Sequence, residues 1–302
     1  MQNQIAWYFK QGIANEEYAC TQGISSGINA GIGNLGVSII FLMAPIVIGM
    51  SVFAPIFGGP QEMANGGRVF LQNTCYIGII QIVIALLLIL KYMDNLPLPK
   101  QSPKSMLSIF GNKHTWIMSW IYTCGFGSFI GYSVALSLLV NKEFPEVSFA
   151  YAAFLGPFIG AGIRPFGGWL SDKINSGSLV TLLSLIGMFC AAIVVMLGIQ
   201  THNFIIFFGA FLFLFFMTGF ETGASFRMIP YIFSNGMQAS IVTGFTAAIG
   251  AYGAFFIPKI FGWSYSSFHN VLPAFYILLA FTAITIVLTY WFYARKGSGI
   301  RC

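Results

Sequence analysis

The sequence predicts an all-α, polytopic membrane protein, and three observations carry that prediction. Of 302 residues, 57% are hydrophobic and only 7% are charged, against roughly 25% charged in a soluble domain. Mean hydropathy is +0.80, so there is too little polar side chain to cover a water-exposed surface. Finally, apolar stretches of about 20 residues, the length that crosses a bilayer core, recur along the chain between short connectors.

Eight such spans are expected, at about 22–50, 70–92, 114–140, 147–171, 177–199, 203–226, 239–262 and 270–293. The longest internal connectors cover about 51–69 and 93–113. The second holds Pro97, Pro99, Lys100, Pro103 and Lys104 and reads as a cytosolic linker. It divides the chain into 1–92, with two spans, and 114–302, with six. Basic residues set the orientation. Lys10, Lys91, Lys100, Lys104, Lys113, Lys173, Arg227, Arg295, Lys296 and Arg301 fall on one side, and Arg68, Lys142 and Lys259 on the other. Both ends are therefore expected in the cytoplasm, with targeting by the spanning helices themselves rather than by a signal peptide.

The net charge of +6 is scattered among connectors, as membrane orientation requires, and does not point to nucleic acid. The five cysteines, Cys20, Cys75, Cys124, Cys190 and Cys302, show no CxxC spacing. His114, His202 and His269 lie at or near span ends with no metal-like partner at i+3 or i+4. No nucleotide-binding loop occurs. An enzyme, an ATP-driven pump, a metal site and a bound cofactor are all unexpected on these grounds.

Three features stand out within the spans. One is a repeat: Gly27–Gly36 set against Gly244–Gly253 matches at Gly27/Gly244, Ala30/Ala247, Ile32/Ile249, Gly33/Gly250 and Gly36/Gly253. The two copies lie six spans apart. Small residues at such spacings let membrane helices approach closely, and repeats of this kind surround transport pathways. The second is the loop Gly167-Gly168-Trp169-Leu170-Ser171-Asp172-Lys173. It offers a tight turn, with Asp172 and Lys173 able to cap and charge-pair flanking helix ends. The third is Arg164, alone among apolar residues from Phe149 to Leu170. It is roughly 10 Å inside the helix end at 1.5 Å per residue. An intramembrane Arg costs about 2.5 kcal/mol or more unless paired or wet. It either faces an aqueous pathway and binds an anion, the preferred reading, or snorkels to the headgroups or holds a neighbouring helix end. Pro165 directly after it removes one helical N–H and loosens the helix.

These stretches carry a resemblance. Gly27–Ser38 resembles the nitrate signature of the nitrate/nitrite porter family of the major facilitator superfamily. Tyr122–Ser133 resembles that family's seventh helix, Gly160–Asp172 its eighth helix and the loop beyond, and Thr243–Pro258 its second nitrate signature. The resemblance implies major-facilitator-type helix bundles and secondary transport of nitrate and nitrite across the cytoplasmic membrane, by antiport or with protons. In the family an anion is gripped between two bundles by one Arg from each, and Arg164 matches the C-terminal one. The family's aromatic pair falls on Tyr122 and Phe126, and its signature Asn on Asn34, which either donates an amide hydrogen to the substrate or makes a helix–helix contact. A planar guanidinium suits a planar oxyanion, and Tyr122 and Phe126, at i and i+4, share a helix face. Gly33, Gly250 and Gly253 are expected to act at helix contacts during gating.

Two departures qualify what the resemblance implies. The match begins near the end of the family's fourth helix, so an N-terminally truncated chain is expected, one lacking the other binding Arg. An inactive fragment, an assembly partner of a missing N-terminal half, or a porter for another small anion are the alternative readings. The other departure is Glu221, where the family usually carries a Gly-Asn pair. It lies six residues from Arg227, on a different helix face, so the two are poor partners. Glu221 is a possible proton relay, and a hydrogen-bonded structural Glu is the plainer reading.

Overall fold

The structure is a computed structural model that describes residues 22–51, 58–63, 67–93, 106–147, 152–233, 235–298 and 302. Most of the linker expected at 93–113, together with Lys10, Cys20, Lys100, Lys104 and Arg301, lies outside the described residues.

Helix α1 (Gln22–Val47) is followed by two residue pairs, β1 (Gln61–Glu62) and β2 (Arg68–Val69), which form a small antiparallel ladder in the connector. Next comes α2 (Gln72–Tyr92). Helices α3 (Lys113–Tyr122) and α4 (Ser128–Glu143) form one rod through a wider turn at Thr123–Gly127. Then come α5 (Leu155–Gly162), α6 (Arg164–Lys173), α7 (Gly177–Gln200) and α8 (Phe204–Ile232). The rod of α9 (Gly236–Ala251) and α10 (Gly253–Phe268) follows, and α11 (Leu272–Thr289) runs into a final wide turn at Tyr290–Ala294.

Local chemistry sets these boundaries. The side chains of Asn112, Ser176, Asn203 and Asn235 accept N–H groups from the first turns of α3, α7, α8 and α9, satisfying donors that a helix start leaves orphaned. Asn175, His202 and His269 take positive φ just after α6, α7 and α10, where a left-handed residue ends a helix. The Asn73 amide donates to the carbonyls of Val47 at 2.8 Å and Met50 at 2.7 Å, so α2 caps the end of α1.

Seven rods in the described residues are long and apolar enough to cross a membrane, and each coincides with an expected span. The expected eighth, at 147–171, is not one helix but two, of 8 and 10 residues, with residues 148–151 outside the described set. The break falls at Ile163. Pro165 has no N–H to give the Ala161 carbonyl, four residues back, and Phe166 and Gly167 both donate to the Ile163 carbonyl instead.

Large apolar side chains such as Ile82, Leu90, Ile205 and Val287 remain on the outer surface, which suits lipid. Inside, Phe207, Phe211 and Phe215 run down one face of α8. Phe129 meets Phe215 edge-on, and Phe261 packs on Phe275. Helix α7 lies along α8, α10 along α4, α9 along α3, and α1 seats on α5, α6 and α8, while α2 packs on α1. Asn73 is the only buried residue of α2.

Candidate functional site

Arg164 is the first residue of α6, at the break between α5 and α6, and its side chain is 0% exposed. Its position depends on two backbone crossings. A Cβ at Gly223 of α8 would strike the Arg164 carbonyl, and one at Gly27 of α1 would come within 2.7 Å of it. Helix α6 is therefore clasped between α1 and α8 at this point, closer than any side chain permits. Above, Gly31 lies against the Ala161 carbonyl, the one Pro165 leaves without its helical donor.

The guanidinium extends from that clasp into an aromatic surround. Its central carbon lies 4.4 Å from the Phe129 ring centre and 5.4 Å from that of Phe126, within cation–π range. Nη1 donates to the Ala30 carbonyl at 3.2 Å. Nε and Nη2 are buried and have no hydrogen-bond partner among the described residues. A guanidinium has five N–H donors in a fixed fork. Two buried nitrogens without a protein partner cost free energy, so the described residues satisfy the guanidinium only in part. That is the arrangement expected of a socket for an anion.

Tyr122 and Phe126 stack with centroids 5.1 Å apart and an interplanar angle of 29°, and Tyr122 also lies 4.4 Å from Phe226. Phe126 and Phe129 continue the stack at 6.4 Å. The wide turn at Thr123–Gly127 falls between Tyr122 and Phe129, and the extra residue in such a turn re-aims the side chains that follow it.

The two repeat copies divide the work of building this site. Gly27 and Gly31 of the first copy seat the cation-bearing helix. Gly250 of the second lies under the aromatic pair, where a Cβ would come within 2.7 Å of Tyr122 and 3.4 Å of Phe126, and Gly253 meets the backbone of Gly127. Gly250 and Gly253 are thus at helix contacts. Among the described residues Gly33 is not: a Cβ there would meet none of them within 4 Å, and the contacts of its copy fall to Gly27 and Gly31 instead. Asn34 donates its amide to the Ala30 carbonyl of its own helix at 2.7 Å. It therefore shares its acceptor with Arg164, with a second amide hydrogen beyond that bond.

Glu221 is 0% exposed, and neither carboxylate oxygen has a hydrogen-bond partner among the described residues. Thr222 and Ser225 beside it donate to the carbonyls of Thr218 and Thr222. The carboxylate fills the space that a side chain at Gly125 would need, which places it against the turn between Tyr122 and Phe126. It is close enough to Arg164 and Tyr122 for their charges to act on one another, yet it makes no ion pair with Arg164 within 4.0 Å.

Arg227, counted with the connector charges from sequence, is buried at 1% exposure inside the end of α8. It pairs with Asp172, Nε to Oδ1 at 2.8 Å, and gives Nη2 to the Asn175 side chain at 2.7 Å. Asp172 also accepts the backbone N–H groups of Gly23 at 3.1 Å and Ile24 at 2.9 Å. The stretch Gly167–Lys173, expected as a turn, is instead the body of helix α6, because its glycines serve close helix approach rather than chain reversal; Asp172 within it does cap a helix end, that of α1, and Glu221 and Arg227 form no ion pair with each other.

No protein-family model matches the chain. It is 36% identical over 298 residues to the nitrate/nitrite transporter NarU of Escherichia coli strain K12, covering 91% of this chain and 64% of that protein. It is 34% identical over 292 residues to the probable nitrate/nitrite antiporter NarK2 of Thermus thermophilus, covering 93% of this chain and 65% of that one. The chain belongs to the nitrate/nitrite porter family of the major facilitator superfamily. A more distant member, the nitrite extrusion protein of Bacillus subtilis, is 25% identical over 283 residues. The chain spans somewhat less than two thirds of the length of these family members.

Proposed function

We propose that the chain takes part in secondary transport of nitrate and nitrite across the cytoplasmic membrane, with both termini in the cytoplasm, and that it is not an enzyme. Arg164 is the anion-binding group, Tyr122 and Phe126 form the wall that confines a flat oxyanion, and Asn34 positions the carbonyl that anchors the guanidinium. Gly250 and Gly253 are the sliding contacts of the gate. The segment 114–302 is the binding bundle, joined through the 93–113 linker to the two-span segment 1–92. The family supports the substrate class.

The observation that carries the site is the pair of unpartnered guanidinium nitrogens on a fully buried Arg164. A fork of N–H donors matches two oxygens of a planar anion, and an aromatic face beside it rejects bulkier, tetrahedral ones. The test is nitrate binding to the purified full chain by isothermal titration calorimetry, native against Arg164→Lys. Lysine keeps the charge and loses the fork. Hydrogen bonds to charged groups are worth about 1.5–3 kcal/mol each, so affinity should fall about 10- to 100-fold while the melting temperature holds. A folded Lys variant with native affinity overturns the assignment.

A further inference from the structure

We infer that Glu221 is the counter-charge of Arg164 in the empty site, and that each anion bound there brings one proton onto the Glu221 carboxyl. This rests on the anion-site reading above and deepens it.

The two groups form an unusual juxtaposition. Both are fully buried. Each feels the other's charge, yet two guanidinium nitrogens and both carboxylate oxygens have no hydrogen-bond partner among the described residues. A structural ion pair would have closed that gap, as Arg227 and Asp172 do at 2.8 Å. The carboxylate is held back by its seat against Gly125, and the guanidinium by the Ala30 carbonyl and the rings of Phe126 and Phe129.

Charge balance then dictates the outcome. With the site empty, one positive and one negative charge compensate in an interior that tolerates no net charge cheaply. An anion at Arg164 would leave two negative charges against one positive. Among the described residues the other buried cation, Arg227, is already paired with Asp172. Helices α1, α5 and α9 carry no ionisable side chain in their described residues. The turn region of α3 offers only the Tyr122 hydroxyl and the Cys124 thiol, and the Thr222 and Ser225 hydroxyls beside Glu221, which donate to carbonyls of their own helix, bring no charge. A proton from water restores neutrality. It forms an O–H bond at one Glu221 oxygen, the anion takes the Arg164 donors, and no electrons are transferred. Release reverses both steps together.

The experiment is calorimetric titration of sodium nitrate into the purified full chain in lipid nanodiscs, near pH 7, in two buffers of different ionisation enthalpy. The native protein should take up about one proton per nitrate, and its affinity should fall about tenfold for each unit rise in pH. Glu221→Gln should bind nitrate with no proton uptake and no pH dependence. Proton uptake near zero in the native protein overturns the inference and leaves the anion site standing. So does uptake that survives in the Gln variant. Should the Gln variant fail to fold, the native pH dependence decides alone, a flat profile overturning the inference. Absence of nitrate binding at every pH overturns the anion site itself and this inference with it.

Discussion

Asp172 accepts the Nε–H of Arg227 at 2.8 Å while also accepting the N–H groups of Gly23 and Ile24, so one carboxylate joins α6, α8 and the start of α1. Both partners are nearly fully buried, at 1% and 3% side-chain exposure. Removing one partner of such a pair strands the other charge and costs about 3–5 kcal/mol. Arg227→Met should therefore lower the melting temperature sharply, and Asp172→Asn combined with it should recover part of the loss. Additive effects of the two substitutions in a double-mutant cycle would show that the pair does not interact.

The backbone crossing at Arg164 yields a contrast between two glycines. Gly223→Ala drives a Cβ into the Arg164 carbonyl of the neighbouring helix. Overpacking of this kind costs about 1–3 kcal/mol or more. Gly33→Ala, which meets nothing among the described residues, should be neutral or stabilising by up to about 1 kcal/mol through the lower backbone entropy of alanine. Chemical or thermal unfolding of the two purified variants checks the ordering, and equal stabilities would show that the crossing is not tight.

At the aromatic wall, Gly250→Ala should push the Tyr122 ring aside, since the new methyl would lie 2.7 Å from it. On the proposed site assignment this weakens nitrate binding by about tenfold, roughly 1.4 kcal/mol, with less effect on stability than Gly223→Ala. Unchanged affinity in a folded variant would separate Tyr122 from the anion.

The cap between α2 and α1 is testable without any ligand. Asn73→Ala removes two hydrogen bonds, to the Val47 and Met50 carbonyls; Val47 keeps the N–H of Met50, so the Met50 carbonyl bears the loss, at a cost of about 1–3 kcal/mol. Hydrogen exchange should rise in the amides just after Val47 and at the start of α2. No local change would mean that water already serves those carbonyls.

Much of this architecture was legible in the residues. The spans follow from apolar run length alone. Arg164 stood out because a lone charge in an apolar run is costly, and Pro165 announced a weakness in its helix, although not that the helix would divide there. Position 227 was misread for a physical reason: a basic residue just beyond an apolar run looks the same whether it meets water or a buried carboxylate 55 positions earlier in the chain. The cap on α1 spans 149 positions, a distance over which no local pattern reports. The glycine repeat was visible, but which of its glycines touch a neighbour depends on helix rotation. Gly27 and Gly31 face inward while Gly33 faces away, and small-residue spacing alone does not choose between them. The wide turn at Thr123–Gly127 left no signal either.

The anchor of Arg164 on the carbonyl of Ala30 has a consequence for inheritance. Every amino acid brings the same carbonyl, so no replacement at position 30 can delete that acceptor. A lineage could vary the side chain there, within the space available, and keep the guanidinium tethered. Drift in this protein should therefore reach the socket through displacement of whole helices rather than through loss of its first hydrogen bond.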